Sequence, residues 1–149
     1  MAESVFDASF IGYANSSLDD PTPHRREFLR QLLNAITSVI SRQSNLRCNQ
    51  KLLSEYEGHL KVRRNDVIDQ FITILDSEET VKLSGSTLRS PHKARANDCR
   101  WPSHDQHVLA AAIDGTNVTI HVTERVLGLC AQDIWRKFRI RINYVAYVD

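Results

Sequence analysis

The run Asp105-Gln106-His107-Val108-Leu109-Ala110-Ala111-Ala112-Ile113 narrows the choice of fold more than any other stretch of this chain. Its small apolar residues suit a helix packed tightly against a sheet, and it opens on an acid. A carboxylate in that position can be aimed out of the sheet's edge while the rest of the helix is buried. Asp114-Gly115-Thr116-Asn117 then reads as a turn, and Val118-Thr119-Ile120-His121-Val122-Thr123 as the clearest strand, β-branched and bounded by turn residues.

The same alternation runs through the rest of the chain. Ser4 to Ile11 reads as a short strand ending in a loop, with Asp7 set among apolar neighbours. Asp19-Asp20-Pro21-Thr22-Pro23 is a breaker that starts a helix, because proline is tolerated in a first turn. Phe28, Leu29, Leu32, Leu33, Ile36, Val39 and Ile40 then recur at helical spacing behind Arg25, Arg26 and Arg30. Leu46-Arg47-Cys48 is a weakly marked second strand. Asn49 caps a helix through Leu52, Leu53, Tyr56 and Leu60, and after a basic hinge at Lys61 to Arg64, Asn65 caps another through Ile68 and Phe71. Val81-Lys82-Leu83 is a third short strand. Residues 84 to 104 read as a long irregular segment, basic from Arg89 to Arg100. Ile134 to Phe138 is ambiguous, and Ile140 to Val145 alternates as a last strand. Strands alternating with helices imply parallel crossovers, hence a single three-layer α/β/α domain over residues 1–149 with a mainly parallel sheet.

Composition excludes several classes. A formal net charge of +1 means that nucleic-acid binding has to come from local clustering. Cys48, Cys99 and Cys130 are an odd set without CxxC spacing, which argues against a disulfide framework and a structural zinc site. The first residues carry Glu3 and Asp7 where a secretory leader is basic, and no apolar run reaches the roughly 20 residues of a membrane span. The expected location is therefore the cytoplasm.

Ligands of open α/β sheets gather at the carboxyl ends of the strands, where Asp7 falls. Three remote acids, Asp7, Glu55 and Asp105, each stand beside an apolar segment. Brought together, they form a hard-oxygen set suited to Mg²⁺ or Mn²⁺ and to phosphodiester hydrolysis. Asp98 and Glu124 are further candidates, and Thr123 is a plausible site hydroxyl. Each acid also has a plainer reading: Asp7 as a turn former, Glu55 as a solvated helix residue, Asp105 as a partner of the helix dipole. His104 and His107 lack the spacing of a zinc pair and are assigned a surface or substrate role. Arg89, Lys93, Arg95 and Arg100 with Trp101 form a basic stretch able to clamp single-stranded RNA by charge and stacking. Arg136, Lys137, Arg139 and Arg141 form a second patch, or simply the wet face of a strand.

Asp7-Ala8-Ser9 resembles the opening Asp-x-Ser/Thr/Asn of PIN-domain nucleases. Leu52-Leu53-Ser54-Glu55-Tyr56 is similar to that family's helical Glu motif, and Pro102 to Ala112 to its third acidic motif. Val118 to Thr123 followed by an apolar helix resembles the fourth region, so the likeness covers nearly the whole chain in order. The resemblance implies a metal-dependent ribonuclease with Asp7, Glu55 and Asp105 as ligands of Mg²⁺ or Mn²⁺ and Ser9 supporting Asp7. Many bacterial relatives are toxins of toxin–antitoxin pairs, so it also implies RNA as substrate, a small antitoxin as partner, and a homodimer. The fourth motif departs from the pattern: Thr123 is followed by Glu124 and Arg125 where the family has Thr-x-Asp or Thr-x-Asn. Either Glu124 substitutes with a register shift, or the second metal is held poorly. The alternative is a catalytically silent PIN-like domain that binds RNA or a protein partner.

Overall fold

The computed structural model describes residues 1–19, 22–77 and 81–147, so Asp20 and Pro21 of the expected breaker lie outside the described residues. In chain order the elements are β1 (Ala2–Phe6), α1 (Ala8–Ala14), α2 (Pro23–Ile40), β2 (Ser44–Asn49), α3 (Gln50–His59), α4 (Asp66–Leu75) and β3 (Val81–Ser84). They continue with α5 (Ser90–Asp98), a single 3₁₀ turn (Ser103–Asp105), α6 (Gln106–Ala112), β4 (Val118–Val122), α7 (Arg125–Leu129), α8 (Ala131–Phe138) and β5 (Arg141–Tyr144). The five strands form one sheet in the order β3-β2-β1-β4-β5, with every neighbouring pair parallel. Helices flank this sheet, and the architecture is three-layer α/β/α.

The strand order explains where a site can form. Growth runs outward from β1 to β2 and β3, then jumps back across β1 to β4 and β5. Right-handed crossovers place the helices of the two halves on opposite faces of the sheet. The crevice left between the carboxyl ends of β1 and β4 is therefore roofed by neither set, which is where open α/β sheets bind ligands.

Alternation along β1 shows the two faces. Phe6 meets Phe10 of α1 and Phe71 of α4, and stacks on His121 of β4 at 4.5 Å. Glu3 points to the other face, under α6. There Thr116 N–H donates to it at 2.7 Å, Lys82 lies 3.1 Å away and Arg47 lies 3.3 Å away. Arg47 also donates to the Ala111 carbonyl of α6 at 2.8 Å. Burial opposes the charge on Glu3, but these donors outweigh it and hold the carboxyl below its ordinary range. The arrangement ties β1, β2, β3 and α6 together near the strands' amino ends, away from the crevice. Asn49 and Asn65 cap α3 and α4 as expected, accepting from Leu52 N–H and Ile68 N–H at 3.0 and 2.9 Å.

Three expectations are corrected. The first strand ends at Phe6, and Ala8 already opens α1, so Asp7 sits at a strand-to-helix junction and no loop follows it. Residues 84–104 are not irregular throughout: Pro91 near its start lets Ser90–Asp98 form α5, a helix whose one buried residue is Ala96. The ambiguous stretch from Ile134 belongs to α8, which buries Ile134 and half-buries Phe138.

Burial pushes His121 down to about 4 from an ordinary 6.5, so its ring is neutral in the fold. Asn143 Nδ2 lies 3.0 Å from Nδ1 and Ser4 Oγ 3.2 Å from Nε2, which assigns the proton to Nε2. A depressed pKa means stability is present above pH 6.5 and is lost as pH falls towards 4. Urea unfolding of wild type and His121→Gln across that window checks this. The wild type should lose about 3 kcal/mol more than the variant on acidification, and parallel curves would contradict it.

Candidate metal centre

Asp7 follows the last residue of the central strand, and its own N–H donates to the His121 carbonyl at 3.0 Å, extending the pairing of β1 with β4. The carboxylate is thereby delivered to the crevice mouth. Ser9, one residue into α1, donates through Oγ to Asp7 Oδ2 at 2.8 Å and lies 3.0 Å from Thr123 Oγ1. This chain of hydroxyls bridges the carboxyl ends of β1 and β4. Ser9 supports Asp7 as expected, and Thr123 joins the same network.

Asp105 arrives from the other face at the junction of the 3₁₀ turn and α6. Both Asp7 and Asp105 occupy helix N-cap positions, yet neither makes a side-chain cap hydrogen bond. Capping hydrogen bonds do not engage these carboxylates, while the dipole reading of Asp105 stands beside the ligand reading. Asp105 Oδ2 is buried and has no hydrogen-bond partner; His104 Nε2 comes within 3.2 Å without the alignment of a bond. A buried carboxylate oxygen left bare is costly unless a cation or water completes it.

Glu55 reaches the site from α3. Its neighbour Tyr56 is fully buried and donates its hydroxyl to the Phe6 carbonyl, the residue just before Asp7. That bond pins α3 to the end of β1 and turns Glu55 towards the crevice. His107 of α6 meets Glu55 Oε1 through Nε2, while its Nδ1 is buried and unpartnered. Of the surface or substrate role expected for it, the surface part is corrected: His107 is 2% exposed, and the α6 face that carries it packs on α3. Its backbone carbonyl accepts from Asn49 Nδ2 at 2.8 Å, which further ties α6 to β2.

Glu124 is the N-cap of α7, exposed at the rim. Electrostatics binds the acids into one set. Burial pushes Asp7 up to about 6, and the charges on Asp105 and Glu124 add to that while Ser9 opposes it. Asp105 is raised by burial and by Glu55, against the pull of His104 and His107. Burial and the charges on Asp105 and Glu55 raise Glu124. Asp7, Asp105 and Glu124, from three parts of the chain, are thus each held above their ordinary range, chiefly by burial and further by neighbouring acidic charge. As they stand, no three His, Cys, Asp or Glu among the described residues are grouped tightly enough to hold a metal ion. The donor chemistry nonetheless fits a hard divalent cation: oxygen ligands only, mutual repulsion that a cation relieves, and one bare buried oxygen.

Other expected site residues lie elsewhere. Asp98 is exposed at the end of α5, lining a hollow with Cys99, Arg100, Cys130 and Asp133, and makes no contribution to the set around Asp7. Trp101 is 3% exposed and donates Nε1–H to the Asp105 carbonyl at 2.8 Å, so it cannot stack on a base. It braces the turn that presents Asp105. Arg89 is the N-cap of α5, while Lys93 and Arg95 are exposed along that helix and Arg100 is exposed just beyond it. No family model matches the chain, and no curated protein or solved structure matches it. Among the described residues no helix is long and apolar enough to cross a membrane.

A raised carboxyl pKa stabilises the fold below pH 3.8, and that contribution is lost as pH rises through about 6. In chelator, Asp7→Asn should therefore be about 1–3 kcal/mol more stable than wild type at pH 8, after allowing for a weakened bond to Ser9. The gain should vanish near pH 3.5. Denaturant unfolding at both pH values decides; a variant less stable at pH 8 would refute the raised pKa of the buried carboxyl.

Proposed function

We propose that this chain is a PIN-like endoribonuclease dependent on Mg²⁺ or Mn²⁺, with Asp7, Glu55, Asp105 and Glu124 as its acidic set. The observation carrying this reading is the convergence of remote acids at the crevice between β1 and β4, coupled to one another and bypassing helix capping. The order of the motifs along the chain supports it independently.

Asp7, Asp105 and Glu55 are the residues that would hold the ion, with Glu124 at the rim. Mg²⁺ or Mn²⁺, when bound, supplies the Lewis acidity and positive charge that phosphodiester hydrolysis requires. Ser9 keeps Asp7 in one orientation through Oδ2, and Thr123 keeps Ser9 in place. His107 orients Glu55 from the α6 side. Trp101 and Tyr56 hold the two backbone segments that carry Asp105 and Asp7. RNA, as substrate, meets the acids from the open side of the crevice. Products would carry a 5′-phosphate and a 3′-hydroxyl. A toxin role with a small antitoxin, and a homodimer, follow from the family likeness alone.

Arg125, exposed beside Glu124 where the family has Asp or Asn, favours a second reading: a catalytically silent domain that binds RNA or a protein. Incubating labelled single-stranded RNA with Mn²⁺ separates the two. Wild type should cut, and loss of a residue that merely orients a ligand typically costs 10–100-fold. Ser9→Ala should fall in that range, and Asp7→Asn and Asp105→Asn below it. A wild type that never cuts would favour the silent reading, and cutting that survives Asp7→Asn would overturn the assigned acidic set.

A further inference from the structure

The outer edge of the sheet carries a cluster that the acidic site does not use. Trp135 of α8 is 40% exposed. The guanidinium carbons of Arg139 and Arg141 stand 5.3 and 5.4 Å from its ring centroid. Among the described residues no carboxylate pairs with either arginine; Arg141 donates only to Asn117 Oδ1 at 3.2 Å. Arg136, by contrast, has Asp133 at 3.8 Å. Two cations are thus gathered on one aromatic plane with no acid to neutralise them. In a chain of net charge +1, such local excess is what an anionic partner can find.

Arg139 holds this position from a left-handed backbone, φ 55°, as the C-cap of α8, where its N–H bonds the Trp135 carbonyl at 2.9 Å. Arg42 and Arg100 adopt the same conformation, so the backbone alone signals nothing. What sets Arg139 apart is the indole beneath its guanidinium. The ring contact of His92 with Phe138, at 6.3 Å, brings α5 against the last turn of α8. Arg89, Lys93 and Arg95 of α5 therefore belong to the same side of the molecule. Arg141 pairs with Thr119, four residues below Thr123, so the cluster lies roughly 13 Å down the sheet from the crevice at strand spacing.

We propose that Trp135, Arg139 and Arg141 form a second contact site for single-stranded RNA, with one base packing on the part of the indole left exposed and the two guanidiniums gripping the flanking phosphates. Single strands offer bases to an aromatic plane, and guanidinium forks match phosphate. A duplex hides its bases, and an acidic peptide has nothing to stack. The choice of RNA over DNA rests on the reading of the chain as a ribonuclease; the geometry itself does not depend on cleavage.

The test uses the full chain in chelator, so cleavage is silent, with a short fluorescein-labelled oligouridylate as probe. Arg139→Gly keeps the fold, since glycine prefers the left-handed cap, and Arg141→Gln removes the second charge. The double variant should bind about tenfold or more weakly, with its salt slope reduced by about 1.4. Trp135→Ala should weaken binding similarly, and Trp135→Phe should restore most of it. Unchanged affinity in the double variant, or a polyglutamate that competes as well as the oligonucleotide, would overturn the proposal. Binding through these residues in a chain that never cuts with Mn²⁺ would support it and remove only the activity.

Discussion

Each parallel strand must begin at the same edge of the sheet as its neighbour, so every connection in this protein returns over a face of the sheet. With the order β3-β2-β1-β4-β5, the returns change sides once, at β1. That single reversal opens the crevice between β1 and β4, and the rest follows. Asp7 is carried there by β1, Thr123 and Glu124 by β4, Asp105 by α6 on one face, and Glu55 by α3 on the other. Hydrophobic burial assembles the layers, and the polar tie of Glu3 to Arg47 and Lys82 secures the opposite end.

Placing acids at that point works against the stability of the isolated chain. Asp7 and Asp105 are buried, both are raised in pKa, and Asp105 Oδ2 accepts no hydrogen bond and has only the exposed His104 beside it, at 3.2 Å. A domain selected only to fold would replace such a group or pair it. Here the supports run the other way: Ser9 fixes Asp7, His107 fixes Glu55, and Trp101 braces the Asp105 turn. Side chains are spent on holding repelling carboxylates still, which is the arrangement expected of a site that awaits positive charge.

Much of the architecture was legible because local signals agreed with the tertiary fold. The β-branched run through Val118, the asparagine caps at 49 and 65, and the small-residue helix after Asp105 all state their roles within a few residues. Helix α5 was hidden for a physical reason: one buried residue, Ala96, leaves no apolar period to read. Trp101 was misjudged because its basic neighbours suggest a stacking surface, whereas the fold turns its indole inward to a carbonyl of its own turn. His107 was missed because spacing from Asp105 says nothing about a partner on α3; Glu55 reaches it across 52 positions. Motif order singles out the acids, while the influence of Glu55 on Asp105 exists only once the crossovers are made.

The central claim is that these four carboxyl groups act as one site for a divalent cation, and it is open to a direct measurement. Thermal unfolding of the wild type should shift upward with increasing Mn²⁺, since a ligand that binds only the folded state stabilises it by mass action. Asp105→Asn should shift little under the same titration. An unmoved wild type, or an equal shift in the variant, would contradict the account.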